Sequence, residues 1–205
     1  MEYSPEHKAI IADFMAQDPS DYDWDKDSKI KPVKRFIKDS LIELQSGFCC
    51  YCQAFLDNDH RMVIDIEHIL PKKREDFHRF IFEDENLAIS CKRCNLSTCK
   101  GQKIDFLTSL DFGDSWNEAS LYKFIHPRLE KLEEHIIRGE KQKGTQKAIY
   151  FKWDKDDSKA SYHFGYFKLH ELERSGFTDI TRDEPTCTES ESGASIFDEL
   201  QEEDL

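Results

Sequence analysis

Apolar residues recur at three- and four-residue steps along Val33, Phe36, Ile37, Leu41 and Leu44, one face of a helix that starts at Pro32 and stops at Gly47. An earlier helix is predicted over residues 6–17, with Ile10, Ile11 and Phe14 on one side. Between them, Asp18 to Lys29 reads as an acidic, turn-rich link. From Arg61 to Ile69 the pattern changes to alternation with β-branched residues, which predicts a strand ended by Pro71. Asp84 to Ile89 leads into a short second strand or turn, and a helix is expected after Asn95. Beyond Leu110, Pro127 to Arg138 reads as a helix through Leu129, Leu132 and Ile136. Ala148 to Trp153 and Ser161 to Lys168 read either as a hairpin or as a strand and a helix.

This organisation is α+β, in four parts. Residues 1–45 form an N-terminal helical segment and 46–110 a core that carries the candidate chemistry. Residues 111–180 form a mainly helical region, and 181–205 an acidic tail expected to be disordered alone. The tail holds nine acidic residues and one basic, and so accounts for a net −8 of the chain's −13. Between Ser46 and Lys103 nine Lys/Arg balance nine Asp/Glu, so the net charge does not exclude a polyanionic partner for the core. The tail's Ile196, Phe197 and Leu200 suggest docking on a partner or cover over a cationic site, beside the plainer reading of a solvated tail.

No apolar run is long enough to span a membrane, and Met1 to Pro5 has no secretory signal pattern. A cytoplasmic protein is expected. Of the seven cysteines, six fall in two clusters. Paired Cys-x-x-Cys spacings in such a chain read as metal ligands rather than disulfides. Cys49, Cys52, Cys91 and Cys94 supply the four thiolates of a structural zinc; Cys50 is spare, and Cys99 is an alternative to Cys94.

The 38 residues between Cys52 and Cys91 contain Ile66-Glu67-His68-Ile69-Leu70-Pro71 and Asn86. A zinc module needs none of these. Phosphodiester hydrolysis needs a base, a charge sink and leaving-group help. His68 is a base suited to neutral pH. Glu67 and Asn95 offer the oxygen ligands that magnesium or manganese prefers. Asn86 can tie down the histidine loop. Lys72, Lys73, Lys100 and Lys103 are candidates for nucleic-acid phosphate. Adjacent strand residues face opposite ways, so a bulge or turn is expected near Glu67 and His68.

In Cys49-x-x-Cys52, Glu67-His68-Ile69-x-Pro71, Asn86-Leu87 and Cys91-x-x-Cys94-Asn95, the chain resembles the HNH endonuclease family over about residues 46–106. The resemblance implies a ββα-metal (His-Me finger) core with zinc knuckles, flanked by helices. It implies His68 as general base, Glu67 and Asn95 at a catalytic Mg2+ or Mn2+, Asn86 orienting the loop, and the four cysteines on a structural Zn2+. Two positions depart from the family. Glu67 stands where many members have Asp, and Thr98 stands where a lysine is usual, with Lys100-Gly101 two residues later. The Ile-Glu-His-Ile-x-Pro-Lys form is most similar to the HNH subunit of Septu-type and retron-associated anti-phage systems, which implies an ABC/SMC-like ATPase partner. DNA is the favoured substrate. RNA, including tRNA, is the alternative, with Tyr150, Phe151, Trp153, Tyr162, Phe164, Tyr166 and Phe167 as a stacking surface. A non-catalytic zinc-binding interaction module is the competing class.

Overall fold

Ser4 accepts a hydrogen bond from the His7 backbone, and Pro5 supplies the first turn of a helix, α1, Pro5–Met15. The computed structural model describes residues 1–18, 23–56 and 64–175. The expected strand start at Arg61, the tail from Thr181, and Cys187 lie outside these residues. Helix α2, Lys31–Leu44, buries Val33, Ile37 and Leu41 completely. Phe36 sits instead against Tyr3 and His7 of the N-terminal segment, and Leu44 is exposed. α2 ends in a paired cap, Gly47 N to Ile42 O and Ser46 N to Glu43 O, with Ser46 and Gly47 both at positive φ.

Strand β1, Ile64–His68, pairs antiparallel with β2, Leu87–Cys91, in an unbroken register from Ile64↔Cys91 to His68↔Leu87. Of the bulge or turn expected near Glu67 and His68, no bulge interrupts the ladder, and the chain bends directly after His68, at Ile69 and Leu70. β2 is buried on both faces through Ser90, which explains its continuous apolar reading. The chain turns directly from β2 into a single helical turn, α3, Lys92–Asn95. The helix expected after Asn95 does not form. Backbone bonds Lys100 N to Cys94 O and Gly101 N to Asn95 O fold the chain back instead. Gly101 makes that turn possible. It has φ +52, and a Cβ there would lie 2.8 Å from Ser97 Cα.

The helix expected over 127–138 is also replaced. A 3-10 turn spans Leu132–Glu134, and strand β3, Ile136–Lys143, pairs with β4, Gln146–Trp153. Leu132 and Ile136 are buried, as a helix face would require, but the eight-residue ladder with β4 overrides that spacing. Helix α4, Ser158–Tyr166, follows, with Asp157 accepting from the backbone of Lys159 and Ala160. The described part of the region expected to be mainly helical therefore has a hairpin as its longest feature. Its aromatics largely pack on one another: Trp153 stacks on Phe164 at 3.9 Å, and Tyr51 on Phe167 at 4.0 Å. The molecule is mixed α+β. No helix among the described residues is long and apolar enough to cross a membrane.

Candidate metal centre and catalytic cleft

The first knuckle, Phe48 to Phe55, is closed by a bridge between those two residues and by Cys49 N to Ala54 O. Cys50 N donates to Ile89 O, which locks the knuckle onto β2, and the second cysteine pair leaves the end of that strand. Four sulfurs converge as a result. Ligand atoms of Cys49, Cys52, Cys91 and Cys94 all lie within 4.8 Å of one another, with Cys52 and Cys91 Sγ 3.8 Å apart. Zinc–sulfur bonds of about 2.3 Å in a tetrahedron put sulfurs about 3.8 Å apart, so the cluster could hold a zinc ion. Cys91 N donates to Cys49 Sγ at 3.3 Å, a bond that favours the thiolate a metal needs. Cys99 is not in the cluster; its thiol faces the Phe167 carbonyl at 3.7 Å.

Glu67 and His68 reach one cleft of about 300 Å3 with Pro71, Lys72, Lys73 and Asn95.

His68 is 5% exposed. Its Nε2 is buried with no hydrogen-bond partner among the described residues. Trp24 presses edge-on against it, with centroids 4.6 Å apart and planes at 89°. Burial first, then the cations Lys72 and Lys100, hold the imidazole pKa well below its usual value. A neutral ring with an unpartnered nitrogen can accept a proton.

Glu67 is 1% exposed and accepts at Oε1 from Lys100 Nζ at 2.6 Å and from Tyr51 Oη at 3.2 Å. Burial raises its pKa, opposed by Lys100 and the Tyr51 hydroxyl. Asn95 donates through Nδ2 to Asp65 Oδ2 at 3.1 Å, which turns its amide oxygen the other way. Glu67 Oε2 and Asn95 Oδ1 are then the oxygens available to a cation. One carboxylate and one amide fit magnesium, which takes the rest of its octahedron from water and phosphate.

Asn86 is 1% exposed. Its Oδ1 accepts from Leu70 N at 2.6 Å, and its Nδ2 donates to Phe80 O at 2.9 Å and Leu70 O at 3.3 Å. The loop that follows His68 hangs on this side chain.

The four candidate phosphate-binding lysines separate. Lys72 and Lys73 line the cleft. Lys103 donates to the Cys99 carbonyl and lies over Tyr166. Lys100 departs from expectation: it is 1% exposed and divides its ammonium between Glu67 and the His68 carbonyl at 2.8 Å. Both of these contacts are to the chain itself. Reading the sequence did not single out Trp24, Asp25 or Tyr51, which complete the site. A lone tryptophan inside an acidic link was the available signal for the first two.

No protein-family model matches the chain, and no solved structure matches it. A curated relative does. The Septu protein PtuB of Bacillus thuringiensis is 37% identical over 62 residues, which is 30% of this chain and 23% of that protein.

Proposed function

We propose that the chain is a metal-dependent HNH endonuclease and the effector subunit of an anti-phage defence complex. The observation that carries the catalytic half is His68: a buried imidazole, kept neutral, with Nε2 unpartnered at a cleft that also holds Glu67 and Asn95. A structural zinc needs none of those groups. The defence half rests on the similarity to the Septu protein PtuB and on the motif resemblance, which also brings the ABC/SMC-like ATPase as partner.

In this reading His68 Nε2, which has no hydrogen-bond partner, takes a proton from the attacking water. Asn86 holds the backbone of residues 69–71 so that the imidazole keeps its angle. Lys100 and Tyr51 fix the Glu67 carboxylate by one oxygen and present the other. Asn95, steered by Asp65, contributes its amide oxygen beside it. Magnesium or manganese bound there would polarise the phosphate and offset charge on the departing oxygen. Lys72 and Lys73 draw the phosphodiester in. DNA is the substrate of first choice and structured RNA the second.

The test is cleavage by full-length protein and by His68→Ala, each given plasmid DNA and total tRNA with magnesium or with EDTA. We expect magnesium-dependent cutting that the variant loses while keeping its fold and its zinc. Undiminished cutting by His68→Ala would overturn the mechanism. No cutting by folded, zinc-loaded protein, alone and beside its ATPase, would leave the interaction module as the better reading.

A further inference from the structure

The β3–β4 hairpin has two unlike faces. Residues opposite each other in the ladder share a side, and successive residues alternate. One face carries Ile136, Ile149 and Phe151, all buried, and the ion pairs of Glu140 with Arg138 and Lys147. The other carries Ile137 and Tyr150, 47% and 42% exposed, with Lys141, Lys143 and Lys152. Among the described residues none of these three lysines has a carboxylate partner, and Lys152 lies over the Tyr150 ring at 5.3 Å. A Cβ at Gly139 would lie 2.0 Å from Tyr150 Cζ, so the glycine gives that ring its place on the exposed face.

The apolar surface continues at the base of the hairpin. A cleft of about 640 Å3 there is lined by Leu44, Phe48, Leu132 and Ile137. Leu44 and Phe48 are exposed, and Phe55, also exposed, packs on Phe48 with ring centroids 5.3 Å apart. Five of the seven exposed large apolar side chains among the described residues thus gather on one stretch of surface, which marks it for contact rather than for solvent. Most charges lining the cleft are already paired: Glu130 with Lys159, Lys131 with Glu134, Arg138 with Glu140. Glu133 adds an acid. The cleft therefore suits an apolar group, and the lysines beyond it suit acids.

The chain itself supplies a segment of that chemistry within reach. Arg174 pairs with Ile149 through two backbone bonds of 3.0 Å, so the chain past α4 meets the edge of β4 that β3 leaves open. Ile149 faces Glu140, three residues from Ile137. Two strand spacings and three residues put Ile137 about 14 Å from Arg174. The 21 residues from Ser175 to Ser195 can span up to about 70 Å, so Ile196 reaches the cleft. Residues 181–205 carry nine acids against one base, with Ile196, Phe197 and Leu200 among them. The hairpin from Ile136 to Trp153 is their opposite: five bases, Arg138, Lys141, Lys143, Lys147 and Lys152, against the one acid Glu140.

We propose that residues 196–205 dock on this surface of their own chain, with Ile196, Phe197 and Leu200 in the cleft against Ile137 and Phe48, and the neighbouring acids on Lys141, Lys143 and Lys152. The tether raises the effective concentration of the segment, so a small contact suffices. Docking is independent of whether the chain cuts nucleic acid.

The test places the photo-crosslinker p-benzoylphenylalanine at position 197 of the full chain and irradiates an equal mixture of isotopically heavy and light protein. Mass spectrometry locates each crosslink and separates bonds within a chain from bonds between chains. We expect crosslinks within the chain, concentrated on Leu44, Phe48 and Ile137. Their yield should fall about fivefold in Ile137→Asp, and equally in Ile196→Asp with Leu200→Asp, a change outside the described fold. Lys141→Glu with Lys143→Glu should lower it about threefold. Leu110→Asp, at an exposed leucine on a different cleft, should leave it unchanged. Crosslinks between heavy and light chains would assign the surface to a second copy, and crosslinks on Lys72 or Lys73 would put the segment over the His68 cleft; either result overturns docking here. So would a yield that none of the variants changes.

Discussion

Lys100 Nζ lies 2.6 Å from Glu67 Oε1, and each side chain is 1% exposed. The pair joins the turn after α3 to the end of β1, so it couples the region beside the cysteine cluster to the cleft beside His68. Its charges are out of water, and their worth depends on both being present.

Lys100→Met alone therefore leaves a buried carboxylate without its cation. We expect a loss of about 3–5 kcal/mol in urea unfolding. Glu67→Gln with Lys100→Met should recover most of that loss, since no buried charge then remains. A single variant as stable as the parent would show that water reaches Glu67.

Asn86 saturates three backbone bonds around Leu70 and Phe80. Asn86→Ala strands those groups in the interior, at about 1–3 kcal/mol for each left unsatisfied. Chemical denaturation should show a loss of about 3 kcal/mol or more, with zinc retained by the native protein. Where the parent cuts nucleic acid, the variant's kcat should fall more than its stability explains at temperatures where it is folded.

The four-cysteine cluster and Cys99 make opposite predictions. Cys94→Ser should lose zinc, measured by elemental analysis, and should be unfolded or molten by circular dichroism. A structural zinc site contributes roughly 10 kcal/mol or more to folding. Cys99→Ser should keep one zinc per chain, because Cys99 faces a carbonyl rather than the cluster. Zinc retained by Cys94→Ser and lost by Cys99→Ser would reverse the ligand assignment.

His126 and His163 are both fully buried, and burial pushes their pKa values down to about 3 and about 4. Below the ordinary histidine value of about 6.5 the unfolded chain binds a proton at each ring that the native state refuses. Stability is then constant above that pH and falls as pH drops from it towards the folded values. The slope is about 1.4 kcal/mol per pH unit for each histidine. His126→Asn should flatten the profile between pH 6.5 and 5 by about that amount, read from urea midpoints at each pH. An unchanged slope would mean that His126 is protonated in the native state.

Much of the candidate site was legible because its residues are near neighbours in sequence. The two Cys-x-x-Cys pairs prescribe two knuckles, and β2 needs only to join them for four sulfurs to meet. Glu67, His68 and Asn86 sit on or beside the two paired strands, so alternation and the break at Pro71 locate them. The burial of Lys100 was not legible, for a physical reason. A lysine near the surface and a buried lysine look the same in a sequence, and burial here depends on the tight turn at Gly101. The 127–138 segment failed differently: Leu132 and Ile136 suit a helix, but the partner that makes a strand of it lies ten or more residues later in β4.

The sequence by itself determined the two cysteine pairs, the helices α1 and α2, and the order histidine, asparagine, second knuckle, because each follows from spacing within one element or one loop; the choice of Cys94 over Cys99 came from the structure. The tertiary structure decided what touches His68 and Glu67. Trp24 comes from the acidic link, Lys100 from the turn after the second knuckle, and Tyr51 from inside the first. Those contacts depend on where separate loops close over a strand end, and no period or motif records it.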